Sequence, residues 1–124
     1  MRWLIDGMNL IGSRPTGWWR DRPGAMRDLV EELDRFAAAS GEPVSVVFDG
    51  RPFELESGTV EVVFASRLGR DAADDDIASL AREGVRVVTS DRDLAGRVRA
   101  AGGEVEGVRA FRDRLDKTFS RGDS

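Results

Sequence analysis

Short apolar segments alternate along the chain with longer amphipathic ones. The apolar segments occupy residues 2–5, 44–48, 59–65, 85–89 and 104–108. Most of them are apolar at successive positions rather than at alternate ones, which predicts strands that are buried on both faces. The pattern therefore indicates a central, mostly parallel sheet of about five strands.

Between the apolar segments, apolar residues recur at helical spacing. One series ends before a glycine that is typical of a helix C-terminus: Met26, Leu29, Val30, Leu33, Phe36 and Ala37, followed by Gly41. Further helices are predicted over about residues 73–81, 92–101 and 109–119, whereas residues 12–24, with their Gly and Pro, are predicted as a loop. Strands that alternate with helices predict a single three-layer α/β domain over residues 1–119, followed by a frayed polar tail at residues 120–124.

The composition restricts the chemistry that this domain can perform. The 124 residues include neither cysteine nor histidine. Disulfide scaffolds, zinc–thiolate sites, thiol nucleophiles and histidine bases are therefore excluded. The net charge of −4 is unlike that of a general nucleic-acid coat protein, which is usually basic. A cluster of carboxylates that binds metal ions would also make the metal-free chain acidic, so the charge is compatible with a metal site.

The beginning of the chain and its hydropathy bear on where the protein resides. The N-terminal segment MRWLIDGMNL is interrupted at once by an Asp, unlike a signal peptide. No apolar run approaches the roughly 20 residues that a bilayer-spanning helix needs. We therefore predict a cytoplasmic protein without a membrane partner.

Three of the predicted strands are followed by an aspartate, at Asp6, Asp49 and Asp91, and a further acidic run opens the second amphipathic helix at residues 71–76. In open α/β sheets, ligands bind outside the carboxyl ends of the strands, close to the point where the strand order reverses. Carboxylates that gather there repel one another unless a cation compensates their charge. Mg²⁺ and Mn²⁺ prefer such oxygen ligands and can support hydrolysis of a phosphodiester.

Four motifs carry a resemblance to a known family. They are IDGMNLIG, VVFDG, RDAADDDI and VTSDRDL, in this order, within residues 2–118. Together they resemble the NYN branch of the PIN-like nucleases, close to its YacP-like group. The resemblance implies a PIN-like fold with a parallel sheet, an acidic site for Mg²⁺ or Mn²⁺, and metal-dependent endonucleolytic cleavage of RNA, which is expected to be single-stranded.

The resemblance also assigns roles to individual residues. Its catalytic residues correspond to Asp6, Asn9, Asp74 and Asp91. Three of these, Asp6, Asp74 and Asp91, match metal ligands, and Asn9 matches a loop residue that orients a ligand or phosphate. Asp75 or Asp93 is expected to supply a fourth metal ligand. The role of Asp49 stays open between a functional carboxylate and a turn residue.

Several of these acidic residues have a structural alternative. Asp71 is predicted to be the N-cap of the second helix, and Asp76 to favour the helix dipole from the first turn. Ser90 with Asp93 is likewise a capping pattern. Asp6 could form a local turn with Gly7, although its position before Asn9 favours function.

Arginine and tryptophan side chains are the candidates for RNA binding. The predicted substrate residues are Arg14, Trp18, Trp19, Arg20, Arg51 and Arg70, with Arg67 as a further candidate. Arginine pairs with phosphates and exposed aromatic rings stack on bases of single strands. The alternative for the two Trp residues is that one or both pack onto the core.

Two other functions compete with the nuclease. The domain could be a catalytically silent PIN-like module that binds RNA or a protein. Less favoured is a Mg²⁺-binding signalling domain phosphorylated at Asp49, because the Lys expected after a late strand is missing. A homodimer or an inhibitory protein partner is compatible with the sequence.

Overall fold

The computed structural model describes residues 1–66, 68–69 and 71–122, with only the backbone described for residues 119–122. Its strands are β1 (Arg2–Asp6), β2 (Val44–Phe48), β3 (Glu61–Phe64), β4 (Val85–Val88) and β5 (Glu104–Glu106). Its α-helices are α1 (Gly7–Ile11), α2 (Arg22–Ser40), α3 (Ala72–Leu80), α4 (Arg92–Ala100) and α5 (Val108–Gly122), and a 3-10 helix covers Trp18–Arg20. The predicted alternation of strands and helices is thus confirmed.

The strands form one sheet in the order β3-β2-β1-β4-β5, and the strand pairs that the structure describes are all parallel. In β1, Ile5 lies opposite Val46 on one side and Val88 on the other. The chain builds outward from β1 to β3 and then returns to the other side of β1 with β4. The strand order therefore reverses between β1 and β4, which places a ligand crevice at the carboxyl ends of these two strands.

Helices cover both faces of the sheet, as successive apolar positions in the strands require. Alternate residues of β1 contribute to two separate cores: Trp3 and Ile5 pack with α2 and α5, and Leu4 packs with α3 and α4. Trp3 contacts Phe36 and Phe111 with ring centroids 5.4 and 5.2 Å apart. This three-layer arrangement fixes β1 at the centre of the domain, with its last residue, Asp6, at the carboxyl edge. No helix in the described part of the chain is both long and apolar enough to cross a bilayer.

Residues 12–24 were predicted as a loop, but the last three of them belong to helix α2. This segment contains the 3-10 helix and the first turn of α2, where Pro23 occupies a position that has no need of an N–H donor. Asp21 caps this helix by accepting a hydrogen bond from the Gly24 N–H at 3.0 Å. The Pro and Gly here mark a helix start, so the prediction of a loop at residues 22–24 was wrong.

Other element boundaries shift by a few residues. Helix α1 was missed, because its length of five residues is too short for a periodic pattern. Helix α3 covers Ala72–Leu80, one residue earlier than the predicted range of about 73–81, and Ala81 after it adopts an extended backbone. Helix α5 continues to Gly122, past the predicted start of the polar tail, while residues 123–124 lie outside the described part of the chain.

Gly7 permits the chain to turn directly from β1 into α1. A Cβ at this position would lie 2.5 Å from Cε1 of Phe48, whose side chain is fully buried in β2. Neither the ring nor the strand can move without disturbing the core. The absence of a side chain at residue 7 therefore helps to set where Asp6 lies.

We expect Gly7→Ala to lower the free energy of unfolding by roughly 1–3 kcal/mol, because it overpacks a filled core. Urea denaturation would measure this change. Gly96→Ala is the matched control, since a Cβ at position 96 of α4 meets no atom within 4 Å. Alanine favours the interior of a helix, so Gly96→Ala should raise stability by about 0.5–1 kcal/mol. Equal effects of the two substitutions would contradict the packing account.

Candidate active site

Asp6 is buried at the carboxyl end of the central strand, with only 6% of its surface exposed. Its Oδ2 accepts a hydrogen bond of 2.9 Å from the Thr89 hydroxyl, which follows β4. The same hydroxyl accepts a bond of 3.1 Å from the Asp91 backbone N–H. Thr89 thus links the ends of the two strands between which the strand order reverses, and it holds the Asp6 carboxylate in one orientation.

The surroundings of Asp6 oppose its ionisation. The pKa of Asp6 is raised from 3.8 to about 6, mainly by burial and also by the carboxylates of Asp74 and Asp91, while hydrogen bonds from the Thr89 hydroxyl and the Asn9 backbone amide act in the opposite direction. Burial also raises the pKa of Asp74, with contributions from Asp91 and Asp71. Asp6, Asp74 and Asp91 are therefore near enough to repel one another, although they come from three different elements.

Asn9 and Ser90 bind the loops of this crevice together. The Ser90 backbone N–H donates to Asn9 Oδ1 at 2.9 Å. The Ser90 hydroxyl accepts a bond of 3.1 Å from the Val108 N–H at the start of α5. Asn9 lies beside Asp6 on α1, so its amide oxygen fixes the β4–α4 loop next to the acidic residues.

Asp91 caps α4, because its Oδ1 accepts a hydrogen bond of 3.0 Å from the Leu94 N–H. The predicted capping pair of Ser90 with Asp93 was wrong by one position, since Asp91 itself is the N-cap. The cap uses one carboxylate oxygen and turns the Asp91 side chain to the carboxyl edge of the sheet. Asp93 is exposed in the first turn of α4 and is not among the principal charges that raise the pKa of Asp6 or Asp74.

The acidic run at the start of α3 divides into different roles. Asp71 occupies the predicted N-cap position, but its side chain forms no capping bond. Asp75 accepts a bond of 2.9 Å from Arg97 of α4. Asp76 accepts bonds from the Ser66 N–H and hydroxyl, at 2.6 and 2.9 Å, and so holds the chain that leaves β3. Asp74 is the member of the run that acts electrostatically on Asp6.

The amino-acid sequence of the chain matches a known protein family. The sequence model of the YacP-like NYN domain matches residues 3–123. The chain belongs to this family. No protein of curated function has a significantly similar sequence.

Two solved structures share the fold of this YacP-like NYN domain. Both are of Rae1 (YacP) from Bacillus subtilis. A tryptophan-to-leucine variant matches with a TM-score of 0.83 at 24% identity, over 97% of this chain and 77% of that one. The other structure matches with a TM-score of 0.81 at 23% identity, over 99% of this chain and 78% of that one. At these identities the likeness establishes the fold, and the all-parallel five-stranded sheet agrees with it.

The donor chemistry of the YacP-like site fits a hard divalent cation. Asp6, Asp74 and Asp91 offer carboxylate oxygens, and the charge of Asp91 helps to raise the pKa of both Asp6 and Asp74, a repulsion that a cation would relieve. Among residues 1–66, 68–69 and 71–118, no three acidic side chains are positioned to bind one metal ion together. The residues therefore fit by chemistry and charge, and their carboxylates would need to turn toward a bound ion.

Asp49 lies apart from the three acids of the site. Its carboxylate is bonded to the Arg22 guanidinium, and Arg22 also donates to the Asp49 carbonyl oxygen at 2.9 Å. These contacts tie the end of β2 to the start of α2. Of the two interpretations that the sequence allowed for Asp49, the geometry supports the structural one.

The predicted RNA-binding residues of the first loop differ in exposure. Trp18 is half-buried against the core, and its ring meets Trp19 edge-on at 5.9 Å. Trp19 is 58% exposed, so it has a free face on which a base could stack. Arg20 is also exposed, whereas Arg14 is ion-paired with Asp116 of α5. The loop therefore offers Trp19 and Arg20 rather than Trp18 and Arg14.

The remaining predicted substrate arginines lie elsewhere. Arg51 is exposed beyond β2 and lines a pocket of about 260 Å³ with Met26 and Phe53. Arg67 and Arg70 lie outside the described residues. Arg51 is thus the one of these three whose position near the carboxyl edge can be described.

Thr89 is a residue of the site that was not predicted from the sequence. The motif VTSD contained it, but a Thr at a strand end is more often a strand residue than a polar contact. We expect Thr89→Val to leave the Asp91 N–H without its acceptor and to lower nuclease activity about 10–100-fold, as loss of a group that orients a functional residue typically does. Activity assays and thermal unfolding would measure both effects.

Thr89→Ser is the control for this prediction, because it keeps the hydroxyl and removes only a methyl group. It should retain most of the activity. In addition, Thr89→Val should shift the acidic limb of the pH–rate profile to higher pH, because the Thr89 hydroxyl lowers the pKa of Asp6. Identical profiles for Thr89→Val and wild type would show that Thr89 only fills space.

Proposed function

We propose that this YacP-like NYN domain is a ribonuclease that hydrolyses internal phosphodiester bonds of single-stranded RNA with the help of Mg²⁺ or Mn²⁺. Family membership supports a nuclease-type role. The observation that carries the proposal is the buried Asp6, whose pKa is raised to about 6 beside Asp74 and Asp91 at the reversal of the strand order. A buried carboxylate beside two partly exposed ones of like charge costs stability, and such an arrangement is expected to have a function.

Asp6, Asp74 and Asp91 are the residues that would hold the cation. When bound, the cation would act as a Lewis acid that lowers the pKa of water and offsets the charge of the phosphate. Thr89 keeps the Asp6 carboxylate pointing in one direction, and Asn9 fixes the Ser90 backbone beside it. The chain has no histidine, so a carboxylate of the site would accept the proton that the attacking water releases.

Single-stranded RNA as the substrate is supported by the exposed Trp19 next to Arg20. A ring with a free face can stack on any base, and a neighbouring guanidinium can pair with the phosphate. An intact duplex would present its bases to the protein only at their edges. The cytoplasmic location and a homodimer stay predictions.

A test of the proposal uses two RNA substrates, one linear and end-labelled and the other circular. We expect both to be cut in Mn²⁺ or Mg²⁺ and neither in EDTA, since a circle can be opened only by internal cleavage. Binding of RNA without cutting in any metal would instead favour the silent RNA-binding module. The signalling alternative has no support from the geometry, because Asp49 is paired with Arg22 and not gathered with Asp6.

A further inference from the structure

A groove leads away from the acidic site on the side opposite to β2. It begins at Asp91 and runs between α4 and the end of β5, with a volume of about 520 Å³. Its floor includes Ala95 and Val105, and its walls include Arg92, Arg99 and Gly107. The groove is therefore continuous with the acidic site at the carboxyl end of β4. Unlike that site, it combines cationic side chains with an apolar floor.

Arg92 and Arg99 lie on the same side of α4, because seven residues correspond to about two helical turns. Both side chains are exposed, and neither forms an ion pair with any described residue. Arg97, on another side of the same helix, is bound to Asp75 of α3. Arg97 of α4 therefore binds α3, whereas Arg92 and Arg99 of the same helix line the groove.

The groove suits a chain of phosphates more than a single small anion. Arg92 and Arg99 are separated by about 10 Å along the helix axis, at 1.5 Å per residue. A single phosphate could not satisfy both, whereas successive phosphates of an extended nucleic-acid strand could. The apolar floor at Ala95 and Val105 matches the less polar faces of ribose and base.

We propose that this groove binds the RNA strand on one side of the bond that is cut, with Arg92 and Arg99 pairing with its phosphates. The proposal rests on the proposed ribonuclease function, because the groove opens at Asp91. It explains how an acidic protein of net charge −4 can attract a polyanion: the positive charge is local and lies beside the site.

The proposal is tested by binding of a fluorescent single-stranded RNA of about 12 nucleotides, a length within the range that single-strand-binding sites cover. Fluorescence anisotropy in EDTA measures the dissociation constant without cleavage. We expect the double variant Arg92→Ala/Arg99→Ala to bind at least about tenfold more weakly than wild type. The slope of log affinity against log salt should become shallower by about 1.4, or about 0.7 for each lost phosphate contact.

Arg82→Ala is the matched control, because Arg82 is equally exposed but precedes β4 at the amino edge of the sheet. It should bind within about twofold of wild type, with an unchanged salt slope. The variant Arg92→Lys/Arg99→Lys, which keeps both charges, should recover most of the affinity. Thermal unfolding of every variant would show that the fold is intact.

The outcomes separate this proposal from the nuclease itself. If wild type cuts RNA while the double alanine variant binds as tightly as wild type, the groove proposal is overturned and the nuclease stands. If the double variant binds weakly but no protein cuts in any metal, the groove stands and the nuclease fails. A wild-type protein that does not bind RNA at all overturns the groove. With active protein, the double variant should raise KM and leave kcat nearly unchanged.

Discussion

Replacing Asp6 with Asn is expected to lower the rate of metal-dependent RNA cleavage on the order of a thousandfold, because it removes the central charge that binds and positions the cation. Asn occupies the same volume, and its amide oxygen can still accept the hydrogen bond that the Thr89 hydroxyl donates to Asp6. The substitution therefore changes charge with little change of shape. Single-turnover cleavage of a labelled RNA would measure the loss.

Asp113→Asn is the matched control for this charge change, because Asp113 is exposed on α5, away from the carboxyl edge. It should cleave at the wild-type rate. Asp74→Asn and Asp91→Asn are expected to resemble Asp6→Asn. An Asp6→Asn variant that keeps more than about a tenth of the wild-type rate is incompatible with a metal held at this position.

The same series identifies the fourth ligand. Asp75 is bound to Arg97, and Asp93 is exposed in the first turn of α4. Whichever of Asp75→Asn and Asp93→Asn lowers the rate more strongly marks the carboxylate that completes the site. Because Asp75 is bonded to Arg97 of α4, Asp75→Asn should also lower stability slightly.

In EDTA above pH 7, Asp6→Asn is expected to be more stable than wild type, by up to about 3 kcal/mol. The pKa of Asp6 lies at about 6 in the fold against 3.8 for an unperturbed carboxyl, a rise of about two pKa units, each equivalent to 1.36 kcal/mol. The folded protein consequently binds the Asp6 proton more tightly than the unfolded chain does. Ionised Asp6 thus destabilises the fold, and Asn removes that cost.

The pH dependence of this difference follows from linkage. Below about pH 4, Asp6 is protonated in both states and its contribution to stability is fully present. Between about pH 4 and 6 the unfolded chain loses the proton first, so the wild-type stability falls relative to Asp6→Asn. Above about pH 6 both states are ionised and the difference is constant. Urea denaturation of the two proteins in EDTA at pH 4, 5, 6 and 8 would trace this curve.

Addition of Mg²⁺ should reverse the order at pH 8. A cation that binds only the folded state stabilises it according to the concentration of the ion and its affinity, and Asp6→Asn lacks the central ligand. Wild type should therefore gain stability and Asp6→Asn should not. If Asp6→Asn were less stable than wild type in EDTA, ionised Asp6 would stabilise the fold through its hydrogen bonds, and the predicted cost of its burial and charge repulsion would be contradicted.

The central strands β1, β2 and β4 could be predicted from the sequence because burial on both faces gives them a nearly continuous apolar run. The segment VSVVF, for instance, was assigned as residues 44–48 and forms β2 over the same residues. Helix α1 could not be found, since five residues carry no periodicity. The start of α2 was hidden because Pro23 and Gly24 are equally common in loops and in the first turn of a helix.

The acids of the site were predictable for a topological reason. Asp6 is the last residue of β1 and Asp91 lies in the loop after β4, and parallel strands bring their carboxyl ends to one edge. The partners of other charges were not predictable, because they depend on distant packing. Arg14 pairs with Asp116, 102 residues away, and Asp49 pairs with Arg22 of α2. The same holds for the groove beside α4, which exists only once β5 packs next to β4.

Diffraction from crystals grown with Mn²⁺, recorded where manganese scatters anomalously, is the most direct test of the metal site. The account predicts an anomalous peak about 2 Å from the Asp6 carboxylate, with oxygens of Asp74 and Asp91 as further ligands. It also predicts that the peak disappears in Asp6→Asn. A structure at the same Mn²⁺ concentration with no peak at Asp6, or with manganese bound only at other carboxylates, would contradict the account.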